Sequence, residues 1–207
     1  MEDIWLNYAK RLQALAGSGM HYATDEFDRE RYDEIAEIAR AMMAQLGDVP
    51  VERIRNLVPD FAKGYSTPQI DVRGAVIEDG RILLVRENVD GLWTMPGGYA
   101  DVGLSAAENV AKEIQEEAGL VVAAKRLYSV KHKAKHAYPA DVRDFYKLFF
   151  LCSREDRTPP VAGAEVSDVG FFSPDNIPPL SLGRIIEADV TEAFAFAADP
   201  VRATLFD

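Results

Sequence analysis

Glu113, Glu116 and Glu117 stand at i, i+3 and i+4 in the segment GYADVGLSAAENVAKEIQEEAGL, which runs from Gly98 to Leu120. On a helix this spacing puts three carboxylates on one face. Two like charges about 4 Å apart repel by roughly 4 kcal/mol at an effective dielectric near 20. Such a cluster is tolerable where it faces water. Where it lines a cleft it needs a divalent cation, and hard Mg²⁺ suits carboxylate oxygen. An acidic helix face is often only a solvated face, so the flanking residues decide. Pro96-Gly97-Gly98 makes a tight turn before the helix. Ser105 is a helix N-cap, and Glu108 three residues later completes a capping box, which makes Glu108 structural rather than catalytic. Val110, Ile114 and Ala118 form the stripe that packs inward, and Gly119 stops the helix. A capped helix with an acidic face beside a glycine turn is a metal site suited to phosphate chemistry.

A pyrophosphate has closely spaced anionic oxygens. Hydrolysis requires that charge to be neutralised and a water to be activated, and Mg²⁺ or Mn²⁺ on the three glutamates would do both. Glu116 is one candidate base. Glu165, in the loop GAEVSD, is either a base that swings in from outside or a solvated loop acid. Arg73 and Arg86 would clamp a phosphate bidentately if they face the acidic helix, and are surface arginines if they face out. The run KHKAKHAY places Lys131, His132, Lys133, Lys135 and His136 together. It is either a substrate-phosphate contact or a solvated basic loop. His132 and His136 are poor metal ligands where hard oxygen chemistry dominates. Trp93 reads as core rather than as a base-stacking platform.

The elements that must hold these residues divide near residues 58–68, giving a helical region over 1–63 and a second region over 64–207. In the first, Trp5, Tyr8, Leu12 and Leu15 have helical spacing over residues 4–16. After a turn region GSGMHYATDEF, a second helix is expected from about Asp28 to Leu46. Tyr32, Ile35, Ala39, Met42 and Leu46 lie on one face, with Gly47 as its stop. A short third helix covers Val51 to Leu57. GYSTPQ, Gly64 to Gln69, reads as a linker. From Ile70 the period changes to that of strands. IDVRGAVI and ILLVRE form a hairpin through Glu78-Asp79-Gly80-Arg81. Further strands are expected at 92–95, 125–132, 145–151 and 169–172, and a C-terminal helix over LSLGRIIEADVTEAFAFA.

The chain has 207 residues, 48% of them hydrophobic, which suffices for one good core and a smaller element. No apolar run approaches the ~18 residues of a membrane span. The charged start MEDIWLNYAKR is not a signal peptide, and a cytoplasmic location is expected. The single Cys152 allows no intrachain disulfide, suits a reducing compartment and reads as a small buried residue. A net charge of −11 argues against a stable nucleic-acid partner but not against a small phosphate substrate. Two amphipathic helices cannot bury their stripes alone, so a homodimer built through residues 4–46 is expected.

The segment Gly98–Leu120 resembles the Nudix box, G-x5-E-x7-R-E-U-x-E-E-x-G-U with U aliphatic. Gly98, Glu113, Ile114, Glu116, Glu117, Gly119 and Leu120 match in register. Leu104 stands in place of the pattern's first Glu and Lys112 in place of its Arg. In the family those two often pair, so the brace is expected to be rebuilt here, with Lys112 free to reach solvent. WLNYAKRLQALA, FDRERYDEIAEIA, LLVRENVDGLWTMPGGYADVGLS and FFSPDNIPPLSLGRI resemble the Nudix subgroup with a helical N-terminal domain. That subgroup includes CDP-choline pyrophosphatases and proteins labelled ADP-ribose pyrophosphatase. The resemblance implies an α/β/α Nudix sandwich with a mixed sheet behind a small helical domain. It implies metal held by Glu113, Glu116, Glu117 and the Gly97 carbonyl. It implies hydrolysis of a nucleoside diphosphate linked to another group, first CDP-choline to CMP and phosphocholine. The alternatives are ADP-ribose to AMP and ribose 5-phosphate or, in a different class, a nucleotide-sensing regulator on the same fold.

Overall fold

The computed structural model describes residues 3–58 and 67–207. They form two compact units. One runs up to Gln69 and includes Ala134–Phe145, and the other takes Ile70–Lys133 and Tyr146–Asp207. The boundary expected at 63/64, and half of the expected linker, lie outside the described residues.

The first unit is built on α1 (Ile4–Tyr22), α2 (Glu26–Gly47) and α3 (Val51–Leu57). Asp3 caps α1 by accepting from the Trp5 and Leu6 N–H groups, and Asp25 caps α2 through Phe27 and Asp28. Helix α1 continues six residues past the expected end at 16, through Gly17-Ser18-Gly19, which the sequence marks as a turn. The glycines serve close approach instead: a methyl group on Gly19 would sit 2.3 Å from the Tyr32 ring. The faces that pack within the unit carry mostly small residues. Leu6, Ala9, Gln13 and Ala16 of α1 and Ala36, Ala39, Met43 and Ala44 of α2 are buried, and Leu6, Ala9, Met43 and Ala44 share a core with Ile54. Trp5 and Leu15, from the stripe expected to pack on the following domain or on a second subunit, are 59% and 65% exposed, and Tyr8 and Leu46 are also exposed.

The second unit is a sheet between helices. Its strands are β1 (Gln69–Glu78), β2 (Arg81–Glu87), β3 (Trp93–Thr94), β4 (Val122–His132), β5 (Phe145–Arg154), β6 (Val166–Phe172) and β7 (Leu205–Phe206). The order is β3-β2-β1-β5-β4-β7, with β6 also paired to β2. The hairpin joins Glu78 to Arg81, and both Asp79 and Gly80 have positive φ, as a type I′ turn requires. Strands β4 and β5 pair antiparallel, whereas β7 joins β4 in parallel, so the sheet is mixed.

Alternation along the hairpin separates two cores. Val72, Val76, Leu83 and Val85 pack with Val110, Ile114 and Ala118 of α4 (Ala106–Ala118). Ala75, Ile82 and Leu84 pack with Val190, Ala193 and Phe196 of α5 (Glu187–Ala198). This is the expected α/β/α sandwich. Cys152 lies in the α4-side core, where burial pushes its thiol up to about 12, so it is no nucleophile. Helix α5 starts later than the sequence suggests. Leu180–Ile186 is a loop that bonds to Trp93, with Trp93 N–H donating to Pro179 O and Ser181 N–H to Trp93 O. The helix starts where Asp189 accepts the Ile186 N–H at 2.8 Å.

Candidate active site

Helix α4 begins with the expected capping box. Glu108 N–H donates to Ser105 Oγ at 3.2 Å, and Ser105 N–H to the Glu108 carboxylate at 2.8 Å. Asn109 is fully buried and ties the preceding loop to the helix. Its Oδ1 accepts from Asp101 N–H at 2.8 Å, and its amide donates to Ser105 O at 3.1 Å. Gly119, at φ 69°, closes the helix.

The turn Pro96-Gly97-Gly98 lies along β1. Val72 N–H donates to Gly98 O and Gly74 N–H to Pro96 O, both at 2.9 Å. Gly97 has φ +143°, and a methyl there would lie 2.0 Å from Val72 O, so only glycine fits. Its N–H donates to Glu117 Oε2 at 2.9 Å. A methyl on Gly98 would be 3.0 Å from Glu113 Oε2. The glycine turn therefore meets two of the three glutamates.

The three carboxylates differ. Burial raises Glu117 to about 7, against the opposing pull of Arg73 and the Gly97 N–H, while Glu113 adds to the rise. Glu113 is half-buried and is raised by the same desolvation, with Glu116 and Glu165 adding to it and Lys112 and Arg73 opposing. Glu116 is exposed and accepts from Lys112 Nζ at 2.8 Å. Lys112 also reaches Asp101 Oδ2 at 3.3 Å, so the lysine reaches solvent as expected and is paired there with two exposed acids. The acid missing at Leu104 is supplied from Asp101. Among the described residues no three His, Cys, Asp or Glu side chains converge on one point. Glu116 is engaged by Lys112. The donor set is nonetheless all hard oxygen, and a buried Glu117 raised in part by the half-buried Glu113 beside it suits a divalent cation.

The basic candidates divide: Arg86 takes the surface alternative left open for it, whereas Arg73 and Lys131 take neither alternative. Arg73 is 3% exposed and cannot clamp a phosphate. Its Nε and Nη2 donate to the two Asp71 oxygens at 3.0 Å, and its Nη1 to Met95 O at 3.1 Å and Thr94 Oγ1 at 3.4 Å. Lys147 Nζ donates to the same Asp71 at 2.9 Å, and burial pulls it down to about 8. Arg86 is exposed and closes the β2–β3 loop by donating to Gly91 O at 2.7 Å. Lys131 is buried against Asp189 at 2.8 Å and Glu192 at 2.7 Å, and so anchors α5. The His132 N–H donates to the Asp207 carboxylate, and its ring lies 5.7 Å from that of Tyr146. His136 belongs to the other unit, its ring 6.4 Å from that of Tyr138. The basic run is thus divided between units.

Glu165 is exposed in a loop fastened to the end of α4. Val161 N–H donates to Ala118 O at 2.9 Å, and Gly163 N–H to Glu117 O at 3.0 Å. Its charge acts on Glu113 and on Glu87. Glu87, a buried acid absent from the sequence reading, is raised by desolvation and salt-bridged to Arg184 at 2.7 Å. Neither residue lies in a pattern that marks it, since their pairing joins β2 to the loop before α5.

Comparison with known proteins gives this geometry a family. A model of the NUDIX domain matches residues 68–194. The chain belongs to the Nudix family. Residues 3–58 match a model described as a UDP-X-like, N-terminal oligomerisation domain. YjhB of Bacillus subtilis, provisionally named an ADP-ribose pyrophosphatase, is 41% identical over 98% of this chain and 97% of its own length. The crystal structure of a UDP-X diphosphatase is 30% identical and covers 98% of each chain at a TM-score of 0.63. That of an ADP-ribose pyrophosphatase from Streptococcus suis is 38% identical. It covers 68% of this chain and all of its own at a TM-score of 0.62. The Nudix chain described here is a pyrophosphohydrolase.

Proposed function

We propose that this Nudix enzyme uses a divalent cation to split the phosphoanhydride of a nucleoside diphosphate joined to a second moiety. The observation that carries the reading is the contact of Gly97 N–H with Glu117, beside Glu113 against Gly98. Glu113, Glu117, Glu116 and the Gly97 carbonyl would hold Mg²⁺ or Mn²⁺. When bound, the cation supplies charge neutralisation and a more acidic water. Glu116 must leave Lys112 to join the set. Glu165 stands ready as the base that takes the proton of the attacking water, with Glu116 as the alternative. Water oxygen bonds to one phosphorus as that phosphorus loses its bridging oxygen, giving two monophosphates.

Among substrates, ADP-ribose takes first place, with AMP and ribose 5-phosphate as products. The names carried by the full-length B. subtilis relative and the S. suis structure support this order over CDP-choline, the first expectation from sequence. The name of the UDP-X diphosphatase adds uridine diphosphate conjugates. The test incubates the protein and Mg²⁺ with each compound and identifies the monophosphates formed. CDP-choline cleaved with ADP-ribose inert would reverse the order. The intact glutamates support catalysis over a purely sensing role.

The outward face of α1 supports a homodimer. Trp5, Tyr8 and Leu15 are exposed on one helix, and the Trp5 and Tyr8 rings pack edge to face at 5.9 Å. A second copy of this face would cover it, in keeping with the oligomerisation-domain match. No helix among the described residues is long and apolar enough to cross a membrane.

A further inference from the structure

We infer that Arg73 is a positioning residue that fixes the glycine turn of the active site from beneath. The inference rests on the metal-dependent reading of the glutamate face. A buried arginine needs its donors satisfied. Asp71 takes two of them in a fork, at 3.0 Å each. The remaining arm reaches Met95 O at 3.1 Å and Thr94 Oγ1 at 3.4 Å. Met95 immediately precedes Pro96-Gly97-Gly98. One guanidinium thus ties strand β1 to the residue that launches the turn.

Backbone contacts continue the same link. The residues flanking Arg73 donate to the turn, Val72 to Gly98 and Gly74 to Pro96. Gly97, wedged against Val72 O, then presents its N–H to Glu117. Moving Met95 O would shift the Gly97 amide and carbonyl together, and with them Glu117. Charge alone does not explain the arrangement. A cation beside a cation-binding site weakens that site, and Arg73 is only partly neutralised because Lys147 shares Asp71. What Arg73 contributes is geometry, through a planar fork that lysine lacks.

Arg73→Lys keeps the charge and removes the fork. Hydrogen exchange should then quicken at least tenfold at the amides of Val72, Gly74 and Gly97. Mn²⁺ affinity, measured with the metal alone by electron paramagnetic resonance, should weaken about tenfold. The kcat should fall by a similar factor with KM within threefold, whereas a phosphate-binding arginine would raise KM. Lys147→Met separates this from general loosening of the buried cluster. It should lower Tm while leaving exchange in the turn and Mn²⁺ affinity within threefold of the parent. The inference is overturned if Arg73→Lys exchanges at parent rates, or if Lys147→Met moves both readouts equally. Should the parent bind no Mn²⁺ and cleave no anhydride, the proposed function fails, and exchange alone still decides the role of Arg73.

Discussion

Lys112 Nζ lies 3.3 Å from Asp101 Oδ2 and 2.8 Å from Glu116 Oε2, so one lysine braces the loop before α4 and restrains a glutamate of the acidic face. The lysine titrates higher than usual because both carboxylates bond it, Glu116 most strongly. Glu116 must break this contact to join a metal. Lys112→Met should therefore tighten Mn²⁺ binding by roughly two- to fivefold, the scale of an exposed ion pair. Weaker binding in a titration would show that the lysine helps the site.

Because Asp101 already serves Lys112, an acid restored at 104 has no vacant partner. Leu104→Glu should change kcat less than twofold and leave Tm within about 2 °C, as expected for a surface substitution. An inactive parent rescued by this change would contradict the account.

Asp71 faces two buried cations. Burial pushes its carboxyl up, but Arg73 and Lys147 outweigh this and hold it below the usual value. A lowered acid contributes stability that is complete above its unfolded pKa of about 3.9 and lost as pH falls through the folded value. Asp71→Asn should cost about 3–5 kcal/mol in urea unfolding at pH 7, because two buried charges lose their partner. Its stability should also decline less steeply below pH 4 than the parent's. A cost under about 1 kcal/mol would show that the cluster relaxes freely.

Glu117 runs the other way. Its folded value, about 7, lies above the ordinary 4.5, so the stability it permits is full below 4.5 and lost as pH rises through 7. The metal-free protein should melt higher at pH 5.5 than at pH 8 through this group. Glu117→Gln should flatten the trend while its side-chain carbonyl still accepts the Gly97 N–H. An unchanged pH trend in the variant would assign the effect elsewhere.

If two copies join through α1, the paired change Trp5→Glu and Leu15→Glu should leave a 22.9 kDa monomer in light scattering. A monomeric parent at micromolar concentration would dismiss the assembly.

Local rules explain what was legible in the chain. Ser105, Glu108 and Gly119 mark the ends of α4, and the glutamate spacing fixes their common face, because helix geometry relates near neighbours. The hairpin was equally plain from Asp79-Gly80. Long-range relationships were not. Strand β1 is buried continuously from Asp71 to Val76, so alternation could not reveal whether Arg73 faced substrate or core. Helix α1 carries a large apolar face and a small one. The smaller residues, Ala9, Ala16 and Gly19, pack inward because they let α2 approach, and that choice depends on Tyr32 in another helix. The Glu87–Arg184 bridge spans 97 positions and leaves no local signal.

The central claim is tested most directly by following ADP-ribose, CDP-choline and a uridine diphosphate conjugate with Mg²⁺ by phosphorus NMR, using the parent and Glu116→Gln. The parent should convert at least one anhydride into two monophosphates, ADP-ribose first, and EDTA should stop the reaction. Glu116→Gln should lower kcat at least ~100-fold with an unchanged Tm. Turnover by Glu116→Gln at the parent's rate, or cleavage that persists in EDTA, would contradict the account.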